Sequence, residues 1–248
     1  MIQTDLVAIR RIGLIVPSSN TVVEVDFARA MPDGAALHTA RMYLSETTEA
    51  AERTMVDRYV PQAAIDLGSL RPDVVAFACT SGGAILGADG EARLIDELAR
   101  TTGARVVSTN DAVKTCIERH APSRVAVITP YVDELNERIK VGLVGRGLNV
   151  VHIGGLGMTD NFEIGRVTPD RIVAFAEEQL AGVRFDLLFV SCTNFRGVET
   201  RPLLTERFGV PVVTSNQATI EATLEVIGLA PRLGWFGARS PIPAATIR

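Results

Sequence analysis

The run Arg11-Ile12-Gly13-Leu14-Ile15-Val16-Pro17 recurs as Arg124-Val125-Ala126-Val127-Ile128-Thr129-Pro130, an offset of 113 residues in a chain of 248. The same offset carries Arg71, Asp73 and Cys79 onto Arg184, Asp186 and Cys192, so RPDVVAFACT and VRFDLLFVSCT are copies in register. A third match, Val106-Val107-Ser108-Thr109-Asn110 onto Val212-Val213-Thr214-Ser215-Asn216, holds at an offset of 106. A repeat constrains the architecture before any motif does. It divides the chain into similar halves, 1–113 and 114–230, with a tail, 231–248, expected to pack back on the first half. Each half has the size of a small domain, and a pseudo-twofold pair makes the cleft between them the natural ligand site.

Within each half, short Val- and Ile-rich runs alternate with segments of helical period, the pattern of a parallel sheet covered by helices on both faces. The fold class is α/β, expected as two pseudo-symmetric, doubly wound parallel-sheet domains. Strands are expected over 11–16, 36–42, 73–79, 105–108, 124–129, 148–153, 186–192 and 211–214. Helices are expected over 52–70, 89–102, 132–146 and 168–180. A composition of 47% hydrophobic residues excludes disorder. The net charge of -4, without long runs of one sign, leaves no footprint for nucleic acid or an anionic membrane. No apolar stretch approaches the roughly 20 residues of a membrane helix. The opening MIQTDLVAIRR lacks the layout of a signal peptide, so a cytoplasmic protein is expected, with a small molecule or a further copy of the chain as partner.

The three cysteines match neither a disulfide framework nor a zinc motif. One cysteine at a strand end is ordinary core filler. Two at matching repeat positions, each where a buried strand opens into a turn, read as chemistry, because parallel sheets bind ligands outside the carboxyl ends of their strands. Cys116 has no repeat partner and reads as structural. Thr80-Ser81-Gly82-Gly83 and Thr193-Asn194 follow the paired cysteines; their N–H groups and hydroxyls suit a carboxylate, and the glycines would let a ligand come close. Ser18, Ser19, Asn20 and Tyr131 lie at the same rim, after the first strand of each half. Ser19 or Asn20 would equally serve to cap a helix over 21–30. Asn161 falls in a later loop of the second half. Glu24 and Asp26 read as partners of a helix dipole. A nucleotide motif, a nucleophile elbow and a clustered metal-ligand set are all missing from the sequence.

Taken in order, PSSN at 17–20, ACTSGG at 78–83, TPY at 129–131, DN at 160–161 and SCTN at 191–194 resemble the Asp/Glu racemase superfamily. The resemblance covers nearly the whole chain and lies with the branch of maleate cis-trans isomerase, arylmalonate decarboxylase and ectoine-utilisation racemase-like proteins. It implies a cofactor-independent enzyme with Cys79 and Cys192 as the catalytic pair. It implies Asn20, Tyr131 and Asn161 as polar groups holding a small carboxylate substrate, and Thr80 and Ser81 as donors to a carboxylate or enediolate. Ser18, Thr193 and Asn194 complete the expected site. Thr80-Ser81-Gly82-Gly83 stands nearer the decarboxylase and ectoine-associated pattern, whereas Cys79 matches the two-cysteine enzymes.

Two thiols across a cleft suit either proton transfer at a carbon beside a carboxylate or addition to a double bond. Both need a thiolate, and with no His or Lys evident nearby the expected means of forming it are turn N–H groups and helix N-termini. Cys79 is read as nucleophile or first base and Cys192 as acid or second base. Racemisation, cis-trans isomerisation and decarboxylation of a malonate-type acid all remain open at this level, as does a non-catalytic sensor that keeps only the binding cleft.

Overall fold

The computed structural model describes residues 8–235. β1 (Arg10–Pro17), β2 (Ala35–Met42), β3 (Val74–Phe77) and β4 (Arg105–Ser108) form one sheet in the order β2-β1-β3-β4. β5 (Val125–Thr129), β6 (Val150–Gly155), β7 (Leu187–Val190) and β8 (Val212–Thr214) form a second in the order β6-β5-β7-β8. Among the described residues all six strand pairings are parallel. The central strands are buried on both faces, which is why they read as continuous apolar runs rather than alternating ones.

The repeat survives as register. Ile12 pairs with Val74, and Val125, its counterpart, pairs with Leu187, the counterpart of Val74. The Arg11 N–H donates to Asp73 Oδ2 at 2.7 Å and the Arg124 N–H to Asp186 Oδ1 at 2.8 Å. One hydrogen bond thus fixes the same strand end in both sheets.

The helices are α1 (Val23–Ala30), α2 (Glu49–Thr54), α3 (Val60–Gly68), α4 (Thr80–Thr102), α5 (Thr109–Glu118), α6 (Asp133–Gly145), α7 (Asn161–Ile164), α8 (Pro169–Leu180), α9 (Gly197–Phe208) and α10 (Ser215–Val226). A π-helical turn, Met55–Tyr59, joins α2 to α3, so the helix expected over 52–70 starts earlier and comes in three pieces. The turn expected after Cys79 is instead the first turn of α4. Cys79 is extended at φ −144°, and its sulfur accepts the Gly82 N–H at 3.3 Å, which caps the helix at once. β3 and β7 therefore stop short of the cysteines that were expected to end them. The first six residues of α10, Ser215 to Ile220, are all buried. A helix enclosed all round shows no amphipathic stripe, so periodicity does not reveal it.

A single apolar cluster includes Ile12, Leu14 and Val16 from the first sheet and Val125, Val127, Phe189 and Val213 from the second. A smaller one, with Phe77, Val60 and Leu98, fills the space under α3 and α4. α5 packs on α10 and α4 on α6, so helices interlock across the repeat; residues 113 and 114 both lie inside α5. Of the tail, Arg232 donates its N–H to Ala30 O at 2.8 Å and Trp235 packs on the larger cluster; residues 236–248 lie outside the described residues, as do residues 1–7.

Candidate active site

The connections that leave the carboxyl ends of the strands in both sheets meet at one place. After β1, Asn20 donates from Nδ2 to Thr193 Oγ1 at 3.1 Å, while its Oδ1 accepts the N–H groups of Val22 and Val23. It therefore both steadies the start of α1 and reaches the connection after β7. Thr193 passes the link on, donating to Ala78 O at 3.2 Å. Asn161 donates from Nδ2 to Ser19 Oγ at 2.7 Å, and the Asn194 amide donates to Asn161 O while its Oδ1 accepts the Thr21 N–H at 2.8 Å. Thr80 donates to Ser215 Oγ at 3.1 Å, and the same Ser215 oxygen accepts the Cys192 N–H at 3.0 Å. Residues from the connection after β2 lie across the top: Thr47 donates its N–H to Thr159 O at 2.7 Å and Asn161 donates its N–H to Ser45 O at 3.1 Å. Ser18 is turned to the Leu44 backbone, accepting its N–H at 3.1 Å.

Cys79, Cys192, Tyr131, Asn20, Asn161, Thr80, Ser81, Thr193 and Asn194 are all buried, and both cysteines are free thiols. Their surroundings break the pseudo-symmetry. Cys79 lies 3.6 Å from Glu52 Oε2 and 3.8 Å from Ser81 Oγ. Cys192 has φ 110°, a left-handed conformation that costs a residue with a Cβ about 1–3 kcal/mol. Its sulfur accepts the Asn194 N–H at 3.3 Å and a hydrogen bond from the Tyr131 hydroxyl.

The N–H donors expected to favour a thiolate are present, but burial outweighs them. It pushes the Cys79 thiol well above its ordinary range, and the Glu52 charge pushes the same way against the Gly82 N–H. Burial pushes Cys192 up to about 11, with Tyr131 and the Asn194 and Phe195 N–H groups pulling back. Burial likewise lifts Glu52 to about 7, opposed by its hydrogen bonds from Ser81 and Cys79. A second negative charge beside an ionised Glu52 would be repelled by about 4 kcal/mol, so the two groups titrate as one unit.

Glu52 escaped the sequence reading because a glutamate on an amphipathic helix carries no distinguishing signal. Ser215 and Asn216 could have been found: they match Thr109 and Asn110 in the repeat and follow a strand end. Asp26, expected beside a helix dipole, is buried and accepts from Asn216 Nδ2 at 2.8 Å, with burial raising its carboxyl to about 6. Gly82 and Gly83 make their close approaches to protein. A Cβ at Gly82 would lie 3.0 Å from Cys79 Sγ and 3.3 Å from Glu52 Oε2; one at Gly83 would collide with Glu91 and Asn110. Among the described residues no group of three or more His, Cys, Asp or Glu is placed to hold a metal ion, and no helix is long and apolar enough to cross a membrane.

Residues 12–236 match the family model of arylmalonate decarboxylase. The chain belongs to the arylmalonate decarboxylase family. Its relatives include enzymes of two activities. A maleate isomerase of Geobacillus stearothermophilus is 26% identical over 88% of this chain and 92% of its own. The arylmalonate decarboxylase of Bordetella bronchiseptica is 28% identical over 84% and 86%. A maleate isomerase of Nocardia farcinica is 27% identical over 89% and 91%. A solved cysteine-to-serine mutant of the Nocardia farcinica maleate cis-trans isomerase, with a covalently bound succinylcysteine intermediate, has this fold at a TM-score of 0.82. That comparison is 24% identical and spans 94% of this chain and 100% of the other. The arylmalonate decarboxylase family thus supplies the α/β fold of two parallel sheets that the repeat and the motifs led one to expect.

Proposed function

We propose that this protein is a cofactor-independent cis-trans isomerase of a small dicarboxylate, maleate or a close analogue, with Cys79 as nucleophile and Cys192 as acid. The observation that carries the reading is the unequal setting of two buried thiols at one site. Cys79 lies beside a carboxylate and at the start of a helix, whereas Cys192 is held by a hydroxyl donor. Maleate isomerases among the relatives, and the succinylcysteine held by one of them, support it.

The thiolate of Cys79 adds to one olefinic carbon, forming a C–S bond while the π pair moves toward the neighbouring carboxylate as an enediolate. Cys192 gives a proton to the other olefinic carbon, which carries that pair, and the single bond left between the two carbons rotates. Cys192 then takes the proton back, the pair re-forms the double bond, and the C–S bond breaks to release the trans acid with the thiolate restored. Thr80, Ser81, Asn20, Asn161, Tyr131, Thr193, Asn194 and Ser18 complete the proposed site, with backbone N–H groups and hydroxyls stabilising the enediolate. The site lies between halves 1–113 and 114–230 in this reading. Three free thiols fit a reducing, cytoplasmic setting, and the proposal includes a homo-oligomer.

The test is proton NMR in deuterium oxide with maleate, aspartate, glutamate and an arylmalonate. Conversion of maleate to fumarate is the expected result, and α-deuteration without it, or no turnover of any acid, would sink the proposal. The Thr80-Ser81 sequence favours one second reading, in which a malonate-type acid loses carbon dioxide and Cys192 protonates the enediolate. Release of carbon dioxide from the arylmalonate identifies it.

A further inference from the structure

We propose that Glu52 is the base that takes the Cys79 proton, a role that rests on the reading of Cys79 as nucleophile. Glu52 is fully enclosed. One oxygen, Oε2, lies 3.6 Å from Cys79 Sγ, and the other accepts from the Ser81 hydroxyl. Among the described residues no cation is among the groups acting on it. An enclosed carboxylate without a cation is costly, so a fold that places one against a nucleophile spends stability for chemistry. Two backbone features allow the approach. Gly82 has no side chain where a Cβ would sit 3.0 Å from the sulfur and 3.3 Å from the carboxylate. The π turn, a feature often found at functional sites, begins three residues after Glu52.

Net charge explains why the base must be local. Loss of the Cys79 proton to solvent would leave two negative charges side by side in a buried site. In the proposed step the S–H bond breaks, an O–H bond forms at Glu52 Oε2, and sulfur keeps the electron pair, so the pair holds a single negative charge throughout. The same proton returns to sulfur when the thiolate leaves the product and no further substrate is bound. Cys79 and Ser81 face Glu52 from the start of α4, and its charge reaches Tyr131 and Cys192 weakly across the site. On its own helix Glu49 pairs with Arg53 and with Arg138 of α6, and Asp57 and Arg58 of the π turn are exposed.

The experiment is the rate of Cys79 alkylation by iodoacetamide, located by peptide mass spectrometry, from pH 5 to 10 in the wild type and in Glu52→Gln. If Glu52 is the base, the reactive form carries the same number of protons as thiol plus carboxylate. The wild-type rate then rises through about pH 7, where Glu52 titrates, and levels off. Glu52→Gln loses that plateau and labels at least about tenfold more slowly at pH 7.5. A bystander carboxylate gives the opposite sign, because its removal takes away a repelling charge and speeds labelling. The proposal is overturned by a wild-type rate that climbs about tenfold per pH unit through pH 9, by a variant that labels as fast or faster, or by a Cys79 that resists labelling throughout. The wild-type profile needs no variant to fold. It is also independent of substrate, so a plateau with no turnover of maleate would spare Glu52 and remove the isomerase, and the reverse result would do the opposite.

Discussion

Asn20 Nδ2 donates to Thr193 Oγ1 at 3.1 Å, joining residues 173 apart in sequence and tying the connection after β1 to the connection after β7. Its other amide atom accepts two N–H groups at the start of α1. Replacing Asn20 by Ala removes the acceptor of two N–H groups and a buried bridge together, and is expected to cost about 1–3 kcal/mol in urea unfolding. Thr193→Val, which breaks only the bridge and the bond to Ala78, is expected to cost less. A loss below about 0.5 kcal/mol for Asn20→Ala would show that the link contributes little.

The Tyr131 hydroxyl holds Cys192 and pulls its thiol down against burial. Tyr131→Phe keeps the buried ring and removes that donor. Turnover is expected to fall about 10- to 100-fold through kcat, with a melting temperature nearly unchanged, since a hydrogen bond to a charged group contributes about 1.5–3 kcal/mol. Normal kcat with a raised KM would assign Tyr131 to substrate binding alone.

Asp26 is lifted from 3.8 to about 6, first by burial and against the Asn216 hydrogen bond. The folded state therefore holds the proton more tightly than the unfolded one. The resulting stability is complete below about pH 4 and is lost as pH rises through about 6, by an amount on the order of 3 kcal/mol. Asp26→Asn cannot ionise, so its unfolding free energy relative to the wild type is expected to improve between pH 4 and 7. Urea titrations of both proteins at each pH decide it: an equal difference at the two ends would contradict the assignment.

Arg146, just past the end of α6, reaches Glu91 of α4 at 2.5 Å, and Glu91 also accepts from Ser108 Oγ at 2.6 Å and Asn110 Nδ2 at 3.1 Å. Arg146→Ala leaves the carboxylate buried and unpaired, with an expected loss of about 3–5 kcal/mol in guanidinium unfolding. Glu91→Gln combined with Arg146→Met removes both charges and keeps an acceptor for Ser108 and Asn110. It is expected to lose less than Arg146→Ala alone; an equal or greater loss would mean that packing of the arginine, not its charge, is what matters.

Most of the fold was legible because a buried parallel strand leaves a dense apolar run, and the eight runs identified each overlap a strand. The copy of RIGLIVP at 124–130 foretold the matching registers of β1 with β3 and β5 with β7. The start of α4 was not legible: a sulfur cap on Gly82 has no recognised signature, and TSGG reads as a turn. α10 was missed because its first six residues, Ser215 to Ile220, are all buried, which erases the stripe over its first half. At the site, the named polar residues do lie together, but their local reading could not tell which atoms face a ligand and which hold neighbouring loops.

The amino-acid sequence determined the pairing of Cys79 with Cys192, since a repeat is a relation between positions and survives without coordinates. Only the tertiary structure decided that the two are chemically unlike. Glu52 meets Cys79 from a helix 27 residues away, and Tyr131 meets Cys192 from a strand end in the same half. Neither neighbour belongs to the repeated segments. The charge and proton supply at a buried thiol depend on what packing brings within a few ångströms, and that distance is not written in the order of the residues.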